Sequence, residues 1–173
     1  MRWIWIDRII ELTAGRRCVA IKNVSLAEDV LHDHFPAGPH RPAQPVMPNT
    51  LIIEGMAQTA GLLVGHARQF REKVILAKIS RARFLLPAVP GYTLRYTAVL
   101  DRIDDAGAAT TGTVELIDPA RGCTDLLGEI DLMFSHIDRN RKGLSFPDHN
   151  FVFTDQFTSL LRQSGIALGQ DTT

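Results

Sequence analysis

One carboxylate stands out by its company. Glu54 lies within Leu51-Ile-Ile-Glu-Gly-Met-Ala-Gln58, where nearly every neighbour is apolar. Burying an ionised carboxyl costs several kcal/mol unless a partner or a proton neutralises it. Glu54 therefore either reaches solvent or an arginine through a gap, or sits desolvated as an acid, partly opposed by the dipole of a helix start. Three histidines, His32, His34 and His40, lie just upstream. His32 reads as a solvated loop residue. His34 and His40 each open a His-x-Pro-Ala-x-Pro hexapeptide, His34-Phe-Pro-Ala-Gly-Pro39 and His40-Arg-Pro-Ala-Gln-Pro45. An imidazole and a carboxyl facing one cleft make a general base and a general acid, equipment for taking a proton from carbon and placing another on a leaving hydroxyl. Backbone N–H groups around Asn49, Thr50 and Leu51, at a helix start, would hold a developing oxyanion. Gln58, one turn after Glu54, either orients that carboxyl or is a buried amide bonded to backbone.

The elements that must position these groups are legible in the patterning. The stretch 50–70 is apolar on nearly every side, with Asn49 or Thr50 available as N-cap. A helix without a polar face is one that other elements surround, and this one would span ~30 Å. Before it, Trp3–Leu12 and Arg16–Val24 are β-prone runs around Ala14-Gly15, a hairpin signal. Pro36, Pro39, Pro42, Pro45 and Pro48 recur every third residue, so that part of 25–49 is loop. After the helix come strand-like runs at Val74–Ile79, Tyr92–Leu100, Ala109–Ile117 and Leu126–Ile137, with a turn at Asp104–Gly107. The expected fold class is α+β: one long antiparallel sheet wrapped around a single central buried helix.

The tail changes character. Residues 140–143 read as a linker, followed by Phe146, Phe151, Phe153 and Phe157, with Phe157, Leu160, Leu161 and Ser164 on one helical stripe after a Thr154/Asp155 cap. The expectation is a main domain over 1–138 and a Phe-rich extension over 139–173 that packs on it; an interface with a partner is the other reading.

The chain is 173 residues, the size of one domain. With 45% hydrophobic and 22% charged residues it lies in the globular range, which excludes disordered and disulfide-scaffold classes. Lys+Arg 19 balances Asp+Glu 19, against the basic excess of a nucleic-acid binder. Cys18 and Cys123 lie far apart without a metal-binding pattern, and read as buried free thiols in a reducing compartment. No apolar run is long enough for a membrane span, which leads to the expectation of a cytoplasmic protein.

From Asp7 to about Ile137 the sequence resembles the 3-hydroxyacyl-acyl-carrier-protein dehydratases (FabA/FabZ-like), a hot-dog-fold family of fatty-acid synthesis. The matching stretches are Asp7-Arg-Ile-Ile-Glu-Leu12, Val19-Ala-Ile-Lys-Asn-Val-Ser25, His34-Phe-Pro36, Pro45-Val-Met-Pro48, Leu51–Gln58 and Arg81-Ala-Arg-Phe-Leu-Leu-Pro87. The resemblance implies elimination of water from a (3R)-3-hydroxyacyl thioester carried on phosphopantetheine, with no metal or redox cofactor. It implies a homodimer, or a hexamer built as a trimer of dimers, in which the histidine of one protomer meets the glutamate of the other. It also implies acyl carrier protein as partner, met by basic residues such as Lys78, Arg81 and Arg83 at the tunnel mouth; a solvated face is the other reading of those three.

The sequence departs from the family pattern in one place that matters. The family motif H-F-P-G-x-P-x-x-P-G-x-x-x-x-E separates histidine and glutamate by fourteen positions, whereas His34 to Glu54 is twenty, the excess being one hexapeptide. Counting back from Glu54 selects His40, and counting forward from Val19–Val24 selects His34. His34 is favoured because it keeps Phe35 to seat the loop, which requires residues 37–44 to bulge outward; His40, followed by Arg41, is its rival. In a third reading the insertion displaces both rings and the protein binds acyl thioesters without dehydrating them. Asn49 and Ala37 replace the motif's glycines, the former adding a side chain that crowds the thioester oxygen or caps the helix. A hot-dog thioesterase, with the carboxylate activating water, is the alternative enzyme.

Overall fold

A computed structural model describes residues 3–137 and 152–166. Six strands, β1 (Arg8–Thr13), β2 (Arg17–Asn23), β3 (Lys73–Phe84), β4 (Thr93–Ile103), β5 (Gly107–Asp118) and β6 (Cys123–Ile137), form one antiparallel sheet in the order β1-β2-β4-β5-β6-β3. The sheet curls around α2 (Asn49–Ala67), the longest helix among the described residues and apolar along most of its length. This is the hot-dog architecture, and the α+β expectation holds.

Contact between helix and sheet is close because the residues at the crossing are small. A Cβ added at Gly55 would lie 2.6 Å from the ring of Tyr96, itself fully buried on β4 beside Leu94 and Ala98. Any larger residue there would prise the helix from the sheet. At its far end α2 stops where Gln69 and Phe70 both adopt φ of 55°. The left-handed region is costly for non-glycine residues and ends helical hydrogen bonding.

The strands exceed the expected runs at β3, which continues from Lys73 through Arg83 to Phe84. At the N-terminus they fall short: Trp3–Asp7 lies outside β1. The reason is a side chain from the helix. Gln58 Oε1 accepts the Trp5 N–H at 2.8 Å and its Nε2 donates to the Trp3 carbonyl at 3.1 Å, so an amide stands where a neighbouring strand would. The loop before α2 holds a short helix, α1 (Asp29–Asp33), that ends before the first of its prolines.

The two edges of the sheet differ. Against β1 lies α3 (Asp155–Gln163), with Thr154 at the N-cap position, Leu160 and Leu161 buried, and Ser164 Oγ accepting the Ile9 N–H at 3.1 Å. At the other edge, among the described residues, β3 (twelve residues long) pairs only with β6, and Leu76 and Ile79 are exposed. Phe146, Phe151 and the linker 140–143 lie outside the described residues. Cys18 is buried as expected, its thiol pushed up to about 12 chiefly by desolvation, whereas Cys123 is half-buried. Among the described residues no helix is long and apolar enough to cross a membrane.

Candidate active site

Glu54 sits on the second turn of α2, half-buried. It meets neither bulk solvent alone nor an arginine. Trp3 Nε1 donates to its Oε1 at 3.1 Å, and Gln58 Nε2 donates to the same oxygen at 2.9 Å. Both donors act on one oxygen, which leaves Oε2 without a hydrogen bond among the described residues. Gln58 thus fills both roles open to it, holding Glu54 with one hand of its amide and the N-terminal backbone with the whole of it. Nothing in the local pattern announces Trp3, which lies 51 residues away and reads as a strand residue; only the fold brings it over the helix.

His34 stands at the end of α1, where its N–H donates to the Val30 carbonyl at 3.2 Å. Its ring Nδ1 is hydrogen-bonded to the carbonyl of Val46. A carbonyl only accepts, so this bond puts a proton on Nδ1, and Nε2 makes no hydrogen bond among the described residues. Val46 is a partner the sequence could not supply, because a main-chain carbonyl has no side-chain signature. Among the described residues no hydrogen bond or ion pair joins His34 and Glu54 within the chain.

Between His34 and Val46 the extra residues leave as a hairpin. Gln44 N–H donates to the Phe35 carbonyl at 2.9 Å, and Gly38 and Arg41 exchange bonds of 3.0 and 3.3 Å, with Pro39-His40 at the tip. His40 is exposed there and has no hydrogen-bond partner among the described residues. Met47, fully buried with its N–H on the Ala88 carbonyl at 2.8 Å, ties the returning strand of the loop to the core. Phe35 does not seat the loop, contrary to expectation. Its φ of 60° turns it outward, where it is 44% exposed, with its ring centroid 4.2 Å from that of His34 and the Arg41 guanidinium 6.0 Å from its own. The positive φ falls at Phe35 rather than at Ala37.

At the helix start Pro48 occupies the N-cap position and the Asn49 side chain makes no capping bond. Leu51 N–H is spent on the Pro48 carbonyl at 2.9 Å, so Asn49 and Thr50, both exposed, are the two whose N–H groups make no bond among the described residues. Lys78, Arg81 and Arg83 are exposed along β3. Arg81 is neutralised by Asp131 at 2.9 Å and Glu129 at 3.4 Å, while Lys78 and Arg83 make no ion pair among the described residues.

Glu54 bonded through one oxygen, His34 bonded through Nδ1 and the unbonded N–H groups of Asn49 and Thr50 are three sets of polar groups held by elements of a hot-dog fold. The chain belongs to the FabA-like family, whose model matches residues 3–117. It is 43% identical over 94 residues to the 3-hydroxyacyl-acyl-carrier-protein dehydratase FabZ of Symbiobacterium thermophilum, covering 54% of this chain and 62% of that protein. It is 37% identical over 138 residues to the enzyme of the same name from Pelotomaculum thermopropionicum, covering 77% and 87%. The chain thus spans less than two thirds of the first of these relatives. Among solved structures, the dehydratase heterocomplex ApeI:P from Xenorhabdus doucetiae superposes with a TM-score of 0.53 at 19% identity, covering 72% of this chain and 92% of that one. An acyl-CoA hydrolase variant from Staphylococcus aureus gives 0.54 at 18% identity, covering 70% and 67%. These two likenesses speak to the fold alone.

Proposed function

We propose that the protein dehydrates (3R)-3-hydroxyacyl thioesters, carried on an acyl carrier protein, to trans-2-enoyl thioesters in fatty-acid or related lipid synthesis. It acts as a homodimer in which His34 of one protomer faces Glu54 of its partner. His34 Nε2 removes a proton from C2 of the acyl group. The electron pair of that C–H bond becomes the C2–C3 double bond as the C3–O bond breaks. Glu54 Oε2 gives its proton to the departing oxygen, which leaves as water. Return of the proton from imidazolium to carboxylate restores both groups. The N–H groups of Asn49 and Thr50 hold the thioester oxygen while charge develops on it. No metal or redox group takes part, and the phosphopantetheine arrives with the substrate.

The observation that carries this reading is the complementary state of the two groups: His34 pinned through Nδ1 with Nε2 open, Glu54 pinned through Oε1 with Oε2 open. A thioesterase needs an ionised carboxylate beside a water, with no call for a fixed imidazole. The β3 edge, unpaired among the described residues, supports the dimer, because a second β3 would continue the sheet beside Leu76 and Ile79. Lys78 and Arg83 are the basic residues offered to the carrier, with Arg81 held back by its carboxylate partners.

Incubation of the purified protein with 3-hydroxyacyl thioesters tests the reaction. Enoyl thioester is the expected product; free acid and thiol would identify a thioesterase instead. Mixing inactive His34→Ala and Glu54→Gln chains tests the pairing. Mixed dimers carry one intact site of two, so random exchange restores about a quarter of wild-type activity. No restoration under conditions where subunits exchange would place both groups of a site in one protomer.

A further inference from the structure

Beside Glu54 a cavity of about 320 Å³ runs along α2, past Gly61 and Leu62, with Phe134 of β6 on its wall. Part of its boundary comes from outside the segment that matches the family. Phe153 and Phe157 line it, and the Phe153 ring lies on α2 at Gly65, where an added Cβ would be 2.3 Å from its Cζ. Glu54, Gly61 and Gly65 fall on one helical face, so the acid is at one end of this furrow and the aromatic pair is toward the other.

We infer that Phe153 and Phe157 of the C-terminal extension form the end wall of the acyl subsite and set the longest acyl chain the enzyme accepts. The inference rests on the dehydratase reading, which places the substrate's C3 at Glu54. Three observations support it. The cavity has the acid and its Gln58 and Trp3 partners in its lining. Its small residue, Gly61, leaves room against the helix, since an added Cβ there meets nothing nearer than Phe134 at 3.7 Å. The ring that seals its far side has a glycine beneath it, so wall and floor fit one another.

The length follows from the helix. Glu54 to Leu62 is eight residues, about 12 Å at the α-helical rise. With C–C bonds of ~1.5 Å at ~111°, an extended chain advances about 1.25 Å per carbon, so about ten carbons fit beyond C3. Acceptance should therefore decline beyond about thirteen carbons in total. Each methylene that newly finds apolar cover is worth roughly a factor of four in affinity.

Two series test this, each run from roughly four to sixteen carbons. One is kcat/KM for dehydration of 3-hydroxyacyl thioesters; the other is binding of saturated acyl-CoA thioesters, read by the fluorescence of Trp3 and Trp5. Phe153→Ala and Phe157→Ala are expected to raise the long-to-short ratio at least about tenfold in both series, and Gly61→Leu, which fills the furrow at a helix-favouring position, to lower it. Phe153→Leu and Phe157→Leu serve if the alanine variants do not fold. A ratio unchanged by every one of these variants overturns the inference and leaves the dehydratase reading standing. Absence of turnover at all lengths, with binding ratios that shift as expected, overturns that reading while the acyl subsite survives.

Discussion

Two copies of one hexapeptide lie side by side in this chain and have opposite fates. In the first, His34 ends a helix, its ring is pinned to a main-chain carbonyl and its second nitrogen is left open. In the second, His40 rides the tip of a two-residue turn, exposed and without a hydrogen-bond partner among the described residues. The difference does not lie in the histidines or their prolines. It lies in what closes around them: the Phe35–Gln44 bond ejects residues 36–43 as a unit, and the buried Met47 pulls Val46 back under His34. A catalytic-looking motif becomes a site only where the fold immobilises one of its atoms and frees another.

The comparison is open to attack at several points. Replacing His34 by Ala, or Glu54 by Gln, should cut dehydration by about 10²–10⁴-fold, the usual worth of a positioned acid or base. Loss of activity on His40→Ala alone would reverse the two assignments. Gln58→Leu should lower kcat about tenfold with little change in KM, since it loosens the carboxyl without touching substrate. The same change orphans the buried Trp5 N–H and should cost about 1–3 kcal/mol in urea unfolding. Excising residues 40–45 joins Pro39 to Val46 and restores the family's spacing from His34 to Glu54. Turnover should stay within a few-fold of wild type, and stability should change by only about 0.6 kcal/mol because loop entropy varies slowly with length. A dead but folded deletion protein would show that the ejected hairpin takes part in the chemistry. The smallest effect belongs to His40→Ala, with stability expected within about 0.5 kcal/mol of wild type, as for surface positions that make no special contact.

The edges of the sheet make a second contrast of the same kind. At β1 a helix of the extension takes the free edge, with Ser164 accepting from Ile9. At β3 twelve residues keep an edge that is unpaired among the described residues. An edge of that length invites another strand, which is why the proposed dimer is drawn at β3 rather than at β1.

Much of the architecture was legible in periodicity. A run with no polar face had to be enclosed, and strands of alternating character had to enclose it, so α2 and β4 to β6 could be placed within a few residues. The misplacements share a cause. Trp3–Asp7 has strand chemistry yet is held by the Gln58 amide, and Phe35 has core chemistry yet is turned outward by its backbone. In each case a contact distant in sequence overrode a local preference.

By itself, then, the sequence determined which groups were available: one carboxyl in an apolar helix, two rival imidazoles with His34 favoured, a helix start with spare N–H groups and a tail of aromatic rings. Residue type and spacing are enough for that, because desolvation and helical periodicity are local properties. Which imidazole is pinned, which carboxylate oxygen is free and where the aromatic tail lands were decided only in three dimensions. Those choices depend on hydrogen bonds such as Trp3–Glu54 and His34–Val46, whose partners meet only when the sheet has closed around the helix.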